Sequence, residues 1–473
     1  MSKINAPSGC KPVIVGAGPA GVRAAQTLVR YGLRPTVIDE SSLWGGQIYR
    51  QPPSLFQRSK KQLYGFEASR AQSVHRAMAD ILDQIDYKPE TLVWNAQDHL
   101  LDTLRAGVTS TEDYSHLIVA TGATDRVLPF AGWTLPGVYS LGGAQVALKF
   151  QGCAIGRRIV FMGTGPLLYL VAYQYARAGA EVAAVLDTSG LAGQIAAVPS
   201  MLAQPVLLAK GLYYVSWLLS HGVQIHRGIE PVQATGNERV NGVLWRDAKG
   251  EHSLKCDAIA LGYALRSETQ LADILGAKFE FNDAQRSFLP LRDDMGRSSV
   301  QGVYLAGDGA GIVGADASEI AGELAALALI SDSYPDLLDH LAEQRILSLQ
   351  SRLSVFKKFR TGLDRAFTFP NKWASHIADE VIICRCEEIT AGEIRTAVKQ
   401  LGALELNRVK ALTRVGMGRC QSRMCSVAAA EIIADTAGIE IREVGRLRGQ
   451  APIKPIPFIT DMNNDVELVR SKQ

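Results

Sequence analysis

Four of the seven cysteines, Cys384, Cys386, Cys420 and Cys425, fall within 42 residues, while Cys10, Cys153 and Cys256 are scattered through the rest of the chain. An odd total is a poor basis for a disulfide framework. A C-x-C pair followed by a C-x4-C pair is instead a thiolate set suited to metal or redox chemistry. Two metal readings compete, beside the plain one of ordinary core thiols. Four thiolates hold a structural zinc ion, but zinc pairs are usually spaced by two to four residues and C-x-C is tighter. The same thiolates hold a [2Fe–2S] cluster, whose net negative charge the interleaved Arg385, Arg419 and Arg423 are placed to offset. Local signals position the ligands. Thr390-Ala391-Gly392-Glu393 is a capping box for a helix running to about Leu401, with Gly402 behind it. Ser426–Thr436 reads as another helix with Gly438 just past its end. Cys425 then stands at a helix N-terminus, where backbone N–H groups and the helix dipole favour a thiolate.

The second chemical signal is glycine. The chain has 44 glycines, many of them just after apolar strand-like runs. Val13-Ile14-Val15-Gly16-Ala17-Gly18-Pro19-Ala20-Gly21 leads into an Ala-rich helix, then into a strand, Thr36-Val37-Ile38, ending in Asp39-Glu40. Glycines at 16, 18 and 21 let backbone approach a pyrophosphate at the helix N-terminus. An acid about 20 residues on can hold an adenosine ribose. Asp39 is preferred over Glu40 because it comes first after the apolar run. A lone G-x-G-x-x-G is weak; strand, turn, helix, strand and acid in this order predict a dinucleotide site.

Two later segments bear on which dinucleotide. His116–Ala123 is a buried-strand pattern carrying Ala120-Thr121-Gly122, and Gly302–Gly309 carries Gly307-Asp308. Together these motifs resemble the two-dinucleotide-fold flavoproteins of the pyridine-nucleotide disulfide oxidoreductase superfamily. The resemblance implies that Ala120, Thr121 and Gly122 pack beside FAD and that Asp308 contacts its ribityl and phosphate region. Asp308 also suits the cap of a helix beginning after Gly311. Gly45-Gly46-Gln47 resembles the flavin-side loop of thioredoxin-reductase-like members, with Gly46 and Gln47 near the cofactor. The first 380 residues hold no closely spaced cysteine pair, so thiol–disulfide chemistry is not expected.

A second strand–turn–helix unit follows in Arg158–Leu168, with Gly163 and Gly165, and a strand Glu181–Leu186 ends in Asp187. Leu168 stands where the third glycine belongs. That glycine permits close helix–strand packing, so leucine there should widen or tilt the turn. The fold is therefore expected to be Rossmann-like, with its ligand open: NAD (favoured over NADP by Asp187), ATP, or none.

At 473 residues two or three domains are expected. The expected architecture is α/β: two dinucleotide-binding domains and a small C-terminal α-helical [2Fe–2S] domain. The first domain is discontinuous, 1–140 and 265–345, with the second fold, 141–264, inserted. A linker (346–380), the cysteine domain (381–445) and a tail (446–473) complete the chain. A net charge of +3 gives no reason to expect nucleic acid. No apolar run approaches a membrane span, since even Ala321–Ile330 contains Glu323. The N-terminus shows no secretory h-region, so a cytoplasmic location is the default. The eight histidines are dispersed and read as structural or exposed, and no base or nucleophile is tied to a substrate pocket, so no catalytic residue is assigned. The basic run Phe356-Lys357-Lys358-Phe359-Arg360, with Arg365, reads as a solvated face, or as an interface to a partner subunit or an FMN phosphate.

The cysteine pattern resembles the bacterioferritin-associated-ferredoxin-like [2Fe–2S] domain, although that domain commonly closes with C-x-x-C. With Phe130–Val138 added, nearly the whole chain resembles the alpha subunits of bacterial heteromeric amino-acid dehydrogenases. That group takes in opine (octopine or nopaline) oxidase, D-hydroxyproline dehydrogenase and hydrogen cyanide synthase. The resemblance implies a D-amino-acid-oxidase-like beta subunit that oxidises the substrate with its own FAD. It also implies an FMN near the subunit interface and, often, a small ferredoxin-like gamma subunit. This chain would relay electrons through FAD and the cluster to an acceptor other than O2. The alternatives are a self-sufficient NADH-dependent FAD/[2Fe–2S] reductase and a structural, nucleotide-sensing subunit.

Overall fold

The computed structural model describes residues 10–457 except 54, 55 and 57; residues 1–9 and the end of the expected tail, 458–473, lie outside the described residues. Pro12–Val15 is an apolar run buried along its whole length, the pattern of a central parallel strand covered on both faces. It pairs in parallel with Thr36–Ile38 on one side and His116–Val119 on the other; Asp86–Lys88 and Val303–Leu305 form the edges. Numbered along the chain, these five strands lie in the order 3-2-1-4-5. The reversal beside Pro12–Val15 opens a crevice at the carboxyl ends of the strands, where such sheets bind ligands.

The helices Pro19–Arg30 and Ala315–Ser333 cover one face. They approach closely because residue 322 is glycine: a Cβ there would stand 2.0 Å from the Ala20 carbonyl oxygen. The apolar Ala321–Ile330 stretch is buried in the second of these helices, and its Glu323 is paired with Arg345. An antiparallel sheet, Thr91–Gln97, Leu100–Arg105 and Val108–Asp113, is appended.

A second parallel sheet has the order Gln224–Arg227, Glu181–Asp187, Arg158–Thr164, Ala258–Tyr263, Val138–Ser140. Its helices are Pro166–Arg177, Leu191–Met201 and Pro205–Ser220. Much of the stretch read as a linker is helical. His340–Ala366 is one helix, started by the Asp339 carboxylate accepting from the Ala342 N–H (2.9 Å). It packs on Leu191–Met201 at Gly362, where a Cβ would be 2.8 Å from Met201 Cγ. In the basic run Phe359 is buried, Arg360 pairs with Asp364, and Lys357 pairs with Asp294 at the surface.

The C-terminal module is a short ribbon, Ile382–Cys384 with Ile389–Thr390, and helices Ala391–Leu401, Leu406–Thr413 and Ser426–Ala437. The Thr390–Glu393 capping box is formed, and Gly402 and Gly438 end their helices in left-handed conformation. The module is docked rather than tethered. The Trp133 indole donates to the Ile382 carbonyl (2.7 Å), Arg286 grips Glu431 (2.9 and 2.7 Å), and Arg446 grips Asp273 (2.6 and 2.7 Å). Among the described residues no helix is long and apolar enough to cross a membrane.

Candidate functional site

At the first glycine turn each glycine has its own task. Gly16 has φ +106°, and a Cβ there would lie 2.3 Å from the Ala120 carbonyl oxygen; at Gly21 it would lie 1.8 Å from the Gly16 oxygen. Gly18 meets only the Gly46 Cα, at 3.8 Å, so a bare backbone face remains at the start of helix Pro19–Arg30. No side chain caps that helix start, which leaves its first N–H groups for an anion. The Gly45 N–H donates to the Ala17 oxygen (2.8 Å), bringing Gly46 and Gln47 alongside the turn.

Asp39 is only partly buried. Its Oδ2 accepts from the Ala17 N–H (2.6 Å) and its Oδ1 from the Ser41 N–H (2.7 Å). Burial pushes its carboxyl up, and these N–H groups oppose the shift. Glu40 is exposed and pairs with Lys454. Asp308 Oδ1 accepts from the N–H groups of Val313 (2.7 Å) and Gly314 (2.9 Å), at the start of the helix that begins at Ala315, a little later than the sequence suggests. Gly307 is buried against Ala20, and Ala120 donates to the Val15 oxygen (2.8 Å). The bare glycine face, the uncapped helix start and two carboxylates, all around one crevice, form a cradle that fits a dinucleotide.

The second glycine turn keeps an uncapped helix start at Gly165 but differs from the first in its acid and its third glycine position. Gly163 and Gly165 keep the positive φ of such a turn, +133° and +111°. Leu168, however, is fully buried in the core beside Phe161 and Val171. Asp187, expected to face a ribose, has no exposed surface. Its Oδ2 accepts from the Tyr169 hydroxyl (2.6 Å) and the Gln194 amide (3.2 Å), and its Oδ1 from the N–H (2.8 Å) and hydroxyl (2.7 Å) of Ser189. Phe367, just after the long helix, packs against Tyr169 with ring centroids 6.2 Å apart. The residues present do not offer NAD an acid for its ribose.

In the C-terminal module Cys384 and Cys425 are buried, Cys420 is half-buried and Cys386 is exposed. The Cys425 side chain contacts those of Cys384 and Cys420, and Cys420 contacts Cys386. The contact with Cys425, helped by the N–H groups of Gly416, Glu387 and Cys386, pulls the Cys384 thiol down to about 6. Cys420 is shifted the same way, again chiefly by Cys425, with the N–H groups of Met424 and Arg423 assisting. Such N–H···S bonds are what a thiolate site requires. Cys425 is the N-cap of helix Ser426–Ala437, as expected. Left-handed Gln421 and Ser422 (φ +51° and +66°) turn the loop between its cysteines. Gly418 is also indispensable, because a Cβ there would be 2.1 Å from the Cys386 Cβ. Among the described residues no three His, Cys, Asp or Glu side chains are set to hold a lone metal ion.

Three residues that sequence reasoning missed join the two sites. The Thr121 hydroxyl donates to the Glu268 carbonyl (2.7 Å), and the Glu268 N–H donates to the Gly122 oxygen (2.9 Å). The Glu268 carboxylate binds Arg423 (2.7 and 3.2 Å); burial opposes its ionisation, but Arg423 holds it below its ordinary range. Arg266 donates to the carbonyls of Ser422 and Arg423 and to the Ser426 hydroxyl (2.6 Å), and Gln270 donates to the Gln421 carbonyl (2.5 Å). Of the three arginines expected around the thiolates, Arg385 and Arg419 are exposed, and Arg423 turns to Glu268.

The chain matches the pyridine nucleotide-disulphide oxidoreductase family over residues 11–328 and the BFD-like [2Fe-2S] binding domain over residues 382–435. It belongs to that family and is an oxidoreductase, with FAD implied at the first fold and a [2Fe–2S] centre at the four cysteines. It is 34% identical to an opine oxidase subunit of Agrobacterium tumefaciens, covering 94% of this chain and 90% of that protein. It is 33% identical to hydrogen cyanide synthase subunit HcnB of Pseudomonas aeruginosa, covering 97% and 99%. The chain is thus a homologue of the subunits of multi-subunit oxidoreductases. Among solved structures, L-proline dehydrogenase from P. horikoshii has a TM-score of 0.69 at 19% identity, covering 95% of this chain and 78% of that one. Thioredoxin reductase from T. acidophilum has a TM-score of 0.51 at 20% identity, covering 68% and 98%. Both likenesses are of fold.

Proposed function

We propose that this chain is the electron-transfer subunit of a multi-subunit amino-acid dehydrogenase of the opine or D-hydroxyproline type. Residues 1–140 and 265–345 hold FAD, 381–445 hold the cluster, and the second fold, 141–264, serves as a buttress. Gly16, Gly18, Pro19, Ala20 and Gly21 receive the pyrophosphate, Asp39 the ribose, and Asp308 the ribityl and phosphate region, with Ala120–Gly122 and Gly46–Gln47 beside the ring. FAD takes up electrons in pairs and gives them up singly, which matches it to a one-electron cluster. The observation that carries the reading is the continuous contact from Thr121 through Glu268 to Arg423, which joins the flavin turn to the Cys420–Cys425 loop. The closed surroundings of Asp187 argue against entry of electrons from NADH.

Substrate oxidation then belongs to a D-amino-acid-oxidase-like partner, with an FMN at the interface and a ferredoxin-like third subunit completing the path. Helices Leu191–Met201 and Pro205–Ser220 support a partner. Leu191, Ile195, Leu202, Val206, Leu212 and Leu219 are each more than half exposed, and Lys210 is the one charge between residues 191 and 220. Thiolate ligands and seven free cysteines suit the reducing cytoplasm.

The test is a cofactor inventory and a reduction assay on the purified chain, alone and with its partner. For the chain alone, flavin, iron and sulfide in a ratio of about 1:2:2 are expected. NADH should leave the flavin oxidised, whereas an opine or D-amino acid in the presence of the partner should bleach it and produce the reduced cluster's EPR signal. Rapid bleaching of the lone chain by NADH would overturn the reading in favour of a self-sufficient reductase.

A further inference from the structure

A cavity of about 100 Å³ lies between the flavin core and the cysteine module, lined among others by Arg126, Arg266, Ser267, Gln270 and Ser426. Its charges are unbalanced. Two other guanidinium groups on its wall are neutralised, Arg286 by Glu431 and Arg446 by Asp273. Arg126 and Arg266 have no ion-pair partner among the described residues. Arg126 is 8% exposed, and the carboxylates nearest it, Asp364 and Glu431, are already held by Arg360 and Arg286. The carboxylate nearest Arg266 is Glu268, which Arg423 holds, and the other opposite charges beside Arg266 are the thiolates of Cys425 and Cys420, so Arg126 is the guanidinium left without a counter-charge.

Unused hydrogen-bonding groups face the same space. Arg126 donates through Nη2 to the carbonyls of Gln285 (2.7 Å) and Leu265 (3.4 Å), but its Nε has no partner. The Ser267 hydroxyl, 4% exposed, and the Gln270 Oε1 also have none. A buried cation lacking a counter-charge is strongly unfavourable, and so is each unsatisfied polar atom. Burial and the neighbouring Arg360 and Arg266 both work against the charge on Arg126, which is pulled down to about 10. One ligand relieves all of these at once.

We propose that this cavity is a binding site for a small oxyanion, phosphate or carboxylate, clamped by Arg126 and Arg266 with Ser267 donating. Planar guanidinium forks are matched to such oxygens. The Gln270 Oε1 is an acceptor and meets a protonated oxygen, as hydrogen phosphate has. The volume is ample for such an ion. The cavity borders Ser267 and Ser426, which adjoin Glu268 and Cys425. The anion therefore holds the flavin turn and the cysteine loop together, and its occupancy sets how firmly the two halves are docked.

The experiment uses the full cofactor-loaded chain, exchanged into chloride buffer at fixed ionic strength and titrated with inorganic phosphate or with acetate. A saturable rise in melting temperature is expected with at least one of them. A phosphate response marks a phosphate site, and a response to acetate alone marks a carboxylate site. Arg126→Met should abolish the saturable rise. Ser267→Ala should raise the apparent dissociation constant roughly tenfold to a hundredfold, the worth of one hydrogen bond to a charged group, and it keeps the test open if the arginine variant fails to fold. No saturable response to either anion, or a response that Ser267→Ala leaves unchanged, would overturn the proposal.

Discussion

The two nucleotide folds of this chain start from the same plan: a central strand, a glycine turn with positive φ and a helix that follows at once. They part at two residues. In the first fold the third glycine, Gly21, sits where a Cβ would be 1.8 Å from a backbone oxygen, and Asp39 remains partly open to the crevice. In the second fold Leu168 is buried in the core, and Asp187 is sealed by Tyr169, Ser189 and Gln194. The first fold keeps its acid open to the crevice, and the second has turned its acid inward. A glycine fingerprint thus goes with the shape of a turn, while the acid at the end of the next strand can be turned either to the crevice or to the core.

Exchanging the differing residues gives the sharpest contrast. Gly21→Leu places a side chain against the Gly16 backbone, so the purified protein should carry essentially no flavin when absorbance is measured after denaturation. Leu168→Ala should cost about 2–5 kcal/mol of stability as a core cavity forms, lowering the melting temperature while the flavin-to-protein ratio stays unchanged. Equal flavin loss in both variants would break the comparison.

The acids give a smaller effect of the same kind. Asp39→Ala should weaken flavin binding by about 1.5–3 kcal/mol, the usual worth of a hydrogen bond to a charged group, as read by fluorescence titration of flavin. Asp187→Ala should leave that affinity alone and cost about 1–3 kcal/mol of stability, because Tyr169 and Ser189 lose a buried acceptor.

The smallest effect concerns acidity. The His75 ring Nε2–H donates to the Tyr49 carbonyl (2.8 Å), beside Gly45, and its Nδ1 is buried without a partner. Burial, together with Lys60, lowers its pKa. The unfolded chain therefore binds a proton below the ordinary histidine value of about 6.5 that the folded chain refuses. Stability of the first fold should be complete above that pH and decline as the pH falls from there toward the depressed value. His75→Gln should flatten that part of a melting-temperature profile, with little change in the second fold.

What the sequence revealed was whatever is held locally. The Gly16–Gly21 turn, the Thr390–Glu393 box and the cysteine spacing each concern neighbours within one or two turns of chain. Leu168 was visible as a departure, but its consequence was not, because Phe367 arrives from a helix nearly two hundred residues later. Glu268 and Arg423 are separated by 155 positions, and nothing around either marks it as half of a joint. Gly418 could have been suspected, since a glycine two residues before a ligand cysteine is a natural place for backbone to pass close to another ligand. Arg126 carries no local signal at all; only its neighbours show that its charge is unopposed.

Cys386 is exposed while Cys384 and Cys425 are buried. An edge that lets electrons leave for a carrier also admits dioxygen and chelators, and these reach the outer sulfur long before the inner pair. The useful lifetime of this chain in air is therefore decided at one corner of its cysteine loop. On the proposed relay, a carrier docked over Cys386 would shield the cluster as well as receive its electrons.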